Sequence, residues 1–189
     1  MICLFLLASC KQTNEQLIQE AVSLANKKNY KEAIDIYTKI ITNNNKIELA
    51  YFYRGQCYHQ MDEYELALKD FNRILSAKPT SGVDITVNPD RPAETEEDRT
   101  KVSYHDALFQ RAIVSFFMDS VQSSYRDFQT LIDANYKKVF CIIWQADIWH
   151  TTGNDEKACR FLQRARRMAT SEDEIKEVEE MTREFCAAK

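Results

Sequence analysis

Glycine and proline are scarce in this chain of 189 residues, each occurring three times. An all-β domain turns often and uses both residues at its turns, so their scarcity excludes that class and points to helices. Positive charge is not in excess either. Lys and Arg number 25 against 29 Asp and Glu, for a net charge of −4, whereas a nucleic-acid binder carries a basic balance or a dense basic face. The nearest approach is Lys157, Arg160, Arg164, Arg166 and Arg167, followed at once by Glu172, Asp173, Glu174, Glu177, Glu179 and Glu180. These read as two solvated helix faces of opposite sign that screen each other. No nucleic-acid partner is expected.

Motifs of catalysis are missing as well. There is no Gly-rich phosphate loop, no HExxH and no GxSxG. Cys57 and His59 stand two apart, and residues two apart on a helix do not meet, which argues against a joint metal site or a Cys–His nucleophile. His105 and His150 are isolated. Six cysteines include no CxxC. Cys57, Cys141, Cys159 and Cys186 are expected to be buried free thiols that behave as small hydrophobes. The expectation is therefore a chain with no catalytic residue, metal, cofactor or small-molecule substrate.

No apolar run reaches the roughly 20 residues that a membrane-spanning helix needs. The longest, Ile2 to Ala8, has the length of a secretory hydrophobic region and runs into Leu7-Ala8-Ser9-Cys10. It resembles a bacterial lipobox, although no Lys or Arg precedes it. The resemblance implies a signal segment at 1–9, lipid attachment at Cys10, a polar tether at 10–13 and a place in the bacterial cell envelope. The other reading of 1–9 is a greasy frayed terminus on a cytoplasmic protein.

What the chain has is globular composition, 44% hydrophobic and 29% charged, and an internal repeat. Tyr51, Arg54, Gly55, Tyr58, Ala67 and Phe71, closed by Pro79, define one unit. Stepping back 34 residues gives Leu17, Ala21, Leu24, Ala33 and Tyr37 in the same slots. After an insertion come Leu108, Ala112, Ser115, Ser124 and Phe128, and 34 residues later Ile142, Ala146, Trp149, Ala158 and Leu162. A fixed period of this size marks stacked helix pairs, none of which can bury its apolar stripe alone.

The small residues fall where two helices of a pair must cross closely: Ala21, Gly55, Ala112 and Ala146 on the first helix, Ala33, Ala67, Ser124 and Ala158 on the second. Lys28-Asn29-Tyr30, Asp62-Glu63-Tyr64 and Gly153-Asn154-Asp155 suit the break between them. Ser171 and Glu174 form a capping box. They lead a helical stripe of Ile175, Val178, Met181 and Phe185, either a cap for the last face or a partner-binding amphipathic helix.

The pattern resembles the tetratricopeptide repeat (TPR), W-x2-L-G-x2-Y…A-x3-F…P. The expected fold is all-α, a TPR α-solenoid of four helix pairs plus a C-terminal capping helix. Units one and two span 14–81, units three and four 105–172, and the capping helix 173–189. Residues 82–104 are an insertion, expected to loop to about Arg91 and then lengthen the first helix of unit three. It reads either as a surface loop or as a second contact surface beside the groove.

The resemblance implies recognition of a partner's peptide or amphipathic helix on the concave face lined by the first helices. The residues it places there are Ile18, Val22 and Asn26, then Phe52, Gln56 and His59, then Phe109, Ile113 and Phe116, then Phe140, Ile143, Asp147 and His150. Phe52, Phe109 and Ile143 stand where carboxylate-clamp members of the family need polar groups, so that specificity does not transfer. An apolar wall rimmed by Gln, His and Asp suits an amphipathic helix or hydrophobic peptide, or else these side chains pack on one another as core. The corresponding functions are a membrane-anchored, non-catalytic adaptor, or a structural subunit of an envelope assembly or uptake complex whose apolar face is self-packed or used for oligomerisation.

Overall fold

The computed structural model describes residues 12–77 and 100–186. Segment 1–9, Cys10, Pro79 and residues 82–99 of the insertion lie outside the described residues. Within them the chain forms α1 (Asn14–Asn26), α2 (Tyr30–Asn43), α3 (Glu48–Gln60), α4 (Tyr64–Ser76), α5 (Tyr104–Phe117), α6 (Val121–Asp133), α7 (Lys138–Thr151), α8 (Asp155–Met168) and α9 (Glu172–Phe185). Consecutive helices pack against one another along the whole series, including α4 against α5 across the insertion. Four antiparallel pairs and a terminal helix result.

Each pair closes on small residues. Ala21, Ala33, Ala67, Ala112, Ser124, Ala146 and Ala158 have no exposed surface. At Gly55 a Cβ would stand 2.9 Å from the ring of Phe71 on the partner helix. That ring is itself fully buried and has nowhere to move. Large side chains then fill the space between pairs. Tyr53 stacks on Tyr37 of the preceding unit at 6.0 Å, and Trp144 stacks on Phe128 of the preceding unit at 5.8 Å.

The turn inside each pair is built the same way four times. Lys28, Asp62, Asp119 and Gly153 hold the same place in their units and all adopt positive φ, between 56° and 80°. The next amides, of Asn29, Glu63, Ser120 and Asn154, donate to the carbonyls of Leu24, Tyr58, Ser115 and Trp149 at 2.8–2.9 Å. This closure of a helix end by a left-handed residue satisfies carbonyls that the helix leaves open. Three of the four sites use a residue with a side chain at a cost of about 1–2 kcal/mol each. A near glycine-free sequence therefore still turns sharply.

Arg54 stands in the slot that favours Leu, and the structure supplies its physical reason. Its Nε and Nη2 donate to both carboxylate oxygens of Asp70, each at 2.8 Å, and its Nη1 donates to Thr38 Oγ1 of the preceding unit at 3.0 Å. Arg111 repeats the arrangement. It grips Asp127 with two bonds of 2.7 and 2.8 Å and reaches back to Asn72 Oδ1 at 3.2 Å. Both pairs are 16 residues apart in sequence. In unit four Gln145 occupies the slot, is fully buried and reaches back to Gln129 at 3.3 Å. Arg54 and Arg111 thus each clasp both helices of their own unit and the unit before it, whereas Gln145 bonds the unit before it alone.

Two expectations need correction. Cys159 is not a free thiol: it forms a disulfide with Cys186, their Cα atoms 5.7 Å apart. The bond ties the end of α9 to α8, and the spacing of 27 residues hid it from motif reading. Closing a loop of that length removes about 3–4 kcal/mol of unfolded-chain entropy. Cys57 and Cys141 are buried and free, as expected. The lengthened first helix of unit three also does not run through 101–103. Ser103 caps α5 by accepting the His105 and Asp106 amides, so the helix begins at Tyr104. Just before it, the Val102 amide donates to Glu48 at 2.9 Å and ties the returning chain to the start of α3.

The chain end behaves as a cap. Ser171 and Glu174 make both bonds of the capping box, and Val178 and Phe185 are buried against the fourth unit. Thr13 and Gln16 make a second box at α1.

The clasp carries a measurable consequence. Arg54→Met leaves the nearly buried Asp70 carboxylate without its cation and is expected to destabilise the protein by about 3–5 kcal/mol, whereas Arg54→Met/Asp70→Leu loses far less. Chemical denaturation of both variants checks this.

Candidate functional site

The first helices α1, α3 and α5 stand side by side, and a cavity of about 400 Å³ opens on the wall they form. Val22, Ala25 and Asn26 of α1 make one side, Gln56, His59 and Gln60 of α3 the middle, and Gln110 of α5 the far edge. Tyr30 and Tyr37 of α2, with Tyr53 and Cys57 of α3, make the floor. Among the described residues, none that lines the cleft carries a formal charge at neutral pH. Every one sits on a helix, so the wall is preformed by the packing of units one to three.

The floor is chemically quiet. Burial pushes the Cys57 thiol up to about 11, and it pushes Cys141, away from the cleft, up to about 12 against a weaker pull from Lys137. Neither is a thiolate at neutral pH, which removes the ordinary route to a reactive cysteine. Burial also raises the Tyr37 phenol above its usual range, with Cys57 and Tyr53 adding to the effect. The Tyr37 hydroxyl is fully buried and makes no hydrogen bond among the described residues. Burial lowers His59 from its usual 6.5, and Asp62 opposes that weakly, so the imidazole is neutral. Among the described residues no group of three His, Cys, Asp or Glu could hold a metal ion.

Comparison with known proteins bears on the frame that carries this wall. The structure superposes on MamA (residues 41 to the end) from Desulfovibrio magneticus RS-1 with a TM-score of 0.65 and 15% identity, covering 85% of this chain and 80% of that one. It also superposes on the C-terminal part of a TPR repeat-containing protein from Cytophaga hutchinsonii, with a TM-score of 0.63, 15% identity and coverage of 89% and 58%. The fold is a TPR-like α-solenoid. A family model described as intraflagellar transport protein 56 matches residues 7–90. Human neutrophil cytosol factor 2 is 40% identical over 48 residues, 25% of this chain. The chain spans about a tenth of the length of that curated relative, 9%.

Within this TPR-like solenoid the residues expected on the inner wall divide into two groups. Gln56 and His59 line the cleft with Val22 and Asn26. The rest are engaged elsewhere. Ile18, Ile113 and Ile143 are buried core residues. Phe52 packs edge-on against Phe71, and Phe109 against Phe128, each inside its own unit. Phe116 lies edge-on to Trp144. Phe140 is half-buried against the core of the last two units. His150 stacks on Phe185 at 3.9 Å and pairs with Asp155 at 2.7 Å, so α9 covers that end of the wall. Asp147 is half-buried there, and burial raises its carboxyl, opposed by His150 and assisted by Glu184.

Ala25, Tyr30, Tyr37, Tyr53, Cys57, Gln60 and Gln110 line the cleft without having been expected there. Gln110 belongs to the slot that Tyr53 and Trp144 fill in their units, and only its polarity there marks it. Tyr30 and Tyr37 come from a second helix. At the rim, Phe117 is 47% exposed and stacks on Tyr64 at 5.7 Å beside His59 at 5.3 Å.

The state of His59 has a pH consequence. Its folded pKa lies below the unfolded value of 6.5, so the unfolded chain takes up a proton that the folded one refuses. Stability is full above that value and falls as pH drops toward the lowered folded value. The denaturation midpoint should therefore fall between about pH 7 and pH 5, and His59→Gln should flatten that slope.

Proposed function

We propose that this protein is a non-catalytic adaptor that docks a segment of a partner protein in the cleft between α1, α3 and α5. The observation that carries this reading is the cleft itself. It is concave, preformed on helices, within the size range of binding sites and, among the described residues, lined by no ionised group. A stacked-repeat frame gives such a wall its usual use as an extended binding surface. The likeness to TPR repeat proteins supports the same class of function without naming a partner.

The docking segment is a peptide or a helix. The anchor proposed with it is a lipid on Cys10, which places the adaptor at the bacterial cell envelope. That part rests on the Leu7-Ala8-Ser9-Cys10 pattern alone. No helix among the described residues is long and apolar enough to cross a membrane. A second reading, a structural subunit of an envelope assembly or uptake complex, draws on Phe117, whose 47% exposure suits a contact between copies.

Photo-crosslinking tests the docking face. Benzoylphenylalanine in place of Gln60 should capture a discrete partner, while the same group in place of Lys39 on α2 should not. Equal capture from both positions, or none from either, removes the reading. Metabolic labelling with a fatty-acid analogue tests the anchor. The wild-type chain should take up label and Cys10→Ala should not.

A further inference from the structure

The cleft holds four side-chain carboxamides, Asn26 on α1, Gln56 and Gln60 on α3, and Gln110 on α5. None of them makes a hydrogen bond within the described residues, whereas the carboxamides of Gln129 and Gln145 elsewhere in the solenoid are paired. A carboxamide offers two donors and an acceptor. Four of them, drawn from three helices onto one cavity, form a surface that complements another set of amides.

We propose that the cleft selects an extended, uncharged stretch of polypeptide, whose main-chain N–H and C=O groups pair with Asn26, Gln56, Gln60 and Gln110. This deepens the docking function proposed above and rests on it.

Three physical arguments lead to that occupant. An extended backbone presents a donor and an acceptor at nearly every residue. A helix spends its own groups on i to i−4 bonds and offers only side chains to the wall. Carboxamides therefore reward the extended form over the helical one. Charge decides the second point. No lining group among the described residues is ionised, so an Asp, Glu, Lys or Arg entering the cleft would lose water and gain no counter-charge from them. The third concerns the floor. Val22, Ala25, Tyr30 and Tyr53 offer apolar surface for a small or aliphatic side chain.

Selection of random displayed peptides on the immobilised full-length chain tests this. The enriched sequences should share a short run free of Asp, Glu, Lys and Arg. They should lose binding to Gln56→Ala/Gln110→Ala, with thermal melting used to verify that the variant folds. Gln60→Ala, at an exposed position, serves as the second variant. Methylating one main-chain amide within the run of a synthetic peptide should weaken binding about five-fold, the worth of one hydrogen bond. A stapled helical form of the same peptide should bind no better than a scrambled control.

An enriched motif with a fixed charge, an N-methyl group without effect, or tighter binding of the stapled form would overturn the selectivity proposed here. If such a peptide still depended on Gln56 and Gln110, docking in the cleft would stand. Peptides that bind all variants equally, or no enrichment at all, would overturn both.

Discussion

Everything in this structure follows from how near two helices of one unit approach. At Gly55 a Cβ would stand 2.9 Å from the Phe71 ring, and the equivalent positions of the other units hold Ala21, Ala112 and Ala146, none with exposed surface. That approach fixes the register of each pair. A fixed register sets where the turn must fall, which is why four different residues, Lys28, Asp62, Asp119 and Gly153, all take the left-handed conformation at one place in the unit. Pairs built to one template then stack, because each leaves the same apolar face uncovered.

Close packing leaves little space for polar groups, and the solenoid uses that space for specificity. Arg54 and Arg111 put a guanidinium between layers, where a leucine would pack without direction. Burial pushes the Asp70 carboxyl up against the pull of Arg54, and the two hydrogen bonds hold Arg54 charged despite its own burial. A buried pair of this kind adds little net stability compared with apolar packing. Its planar two-bond geometry has a single good arrangement, and the third bond to the preceding unit, Thr38 or Asn72, carries that arrangement across the junction. The clasps bridge units one and two and units two and three, and the cleft lies on the wall of those same three units.

The inner wall is uneven for the same reason. In units three and four aromatic side chains are large enough to reach one another: Phe109 meets Phe128, Phe128 meets Trp144, and Trp144 meets Phe116. They close the wall into core, and α9, held by Val178, Phe185 and the Cys159–Cys186 bond, covers its end. Between units one and three Gln56, His59 and Gln110 take the corresponding surface. Amides keep their hydration and do not collapse on one another, so the wall stays open there. Composition along one face thus separates a packed half from an accessible half.

By itself the sequence determined the helix pairs, their small-residue crossings, the turns and the terminal cap, because each depends on residues within one repeat and its period. Gly55 with Ala67, or Ser171 with Glu174, can be read without knowing what lies beside them. Only the tertiary structure decided which inner-wall residues are surface. Phe52, Ile113 and Ile143 belong to the same inner-wall positions of the repeat as Gln56 and His59, and periodicity treats them alike; Ile113 and Ile143 are buried in the core and Phe52 packs on Phe71, which only the folded helices reveal. The Arg54–Asp70 and Arg111–Asp127 clasps left a trace in the chain, an Arg and an Asp at one spacing in two units, whose meaning appears only when the helices fold back. The Cys159–Cys186 bond left none, and the Gln110 edge of the cleft left only a polar residue in a slot that is aromatic in two other units, since each joins helices whose contact follows from stacking rather than from any local pattern.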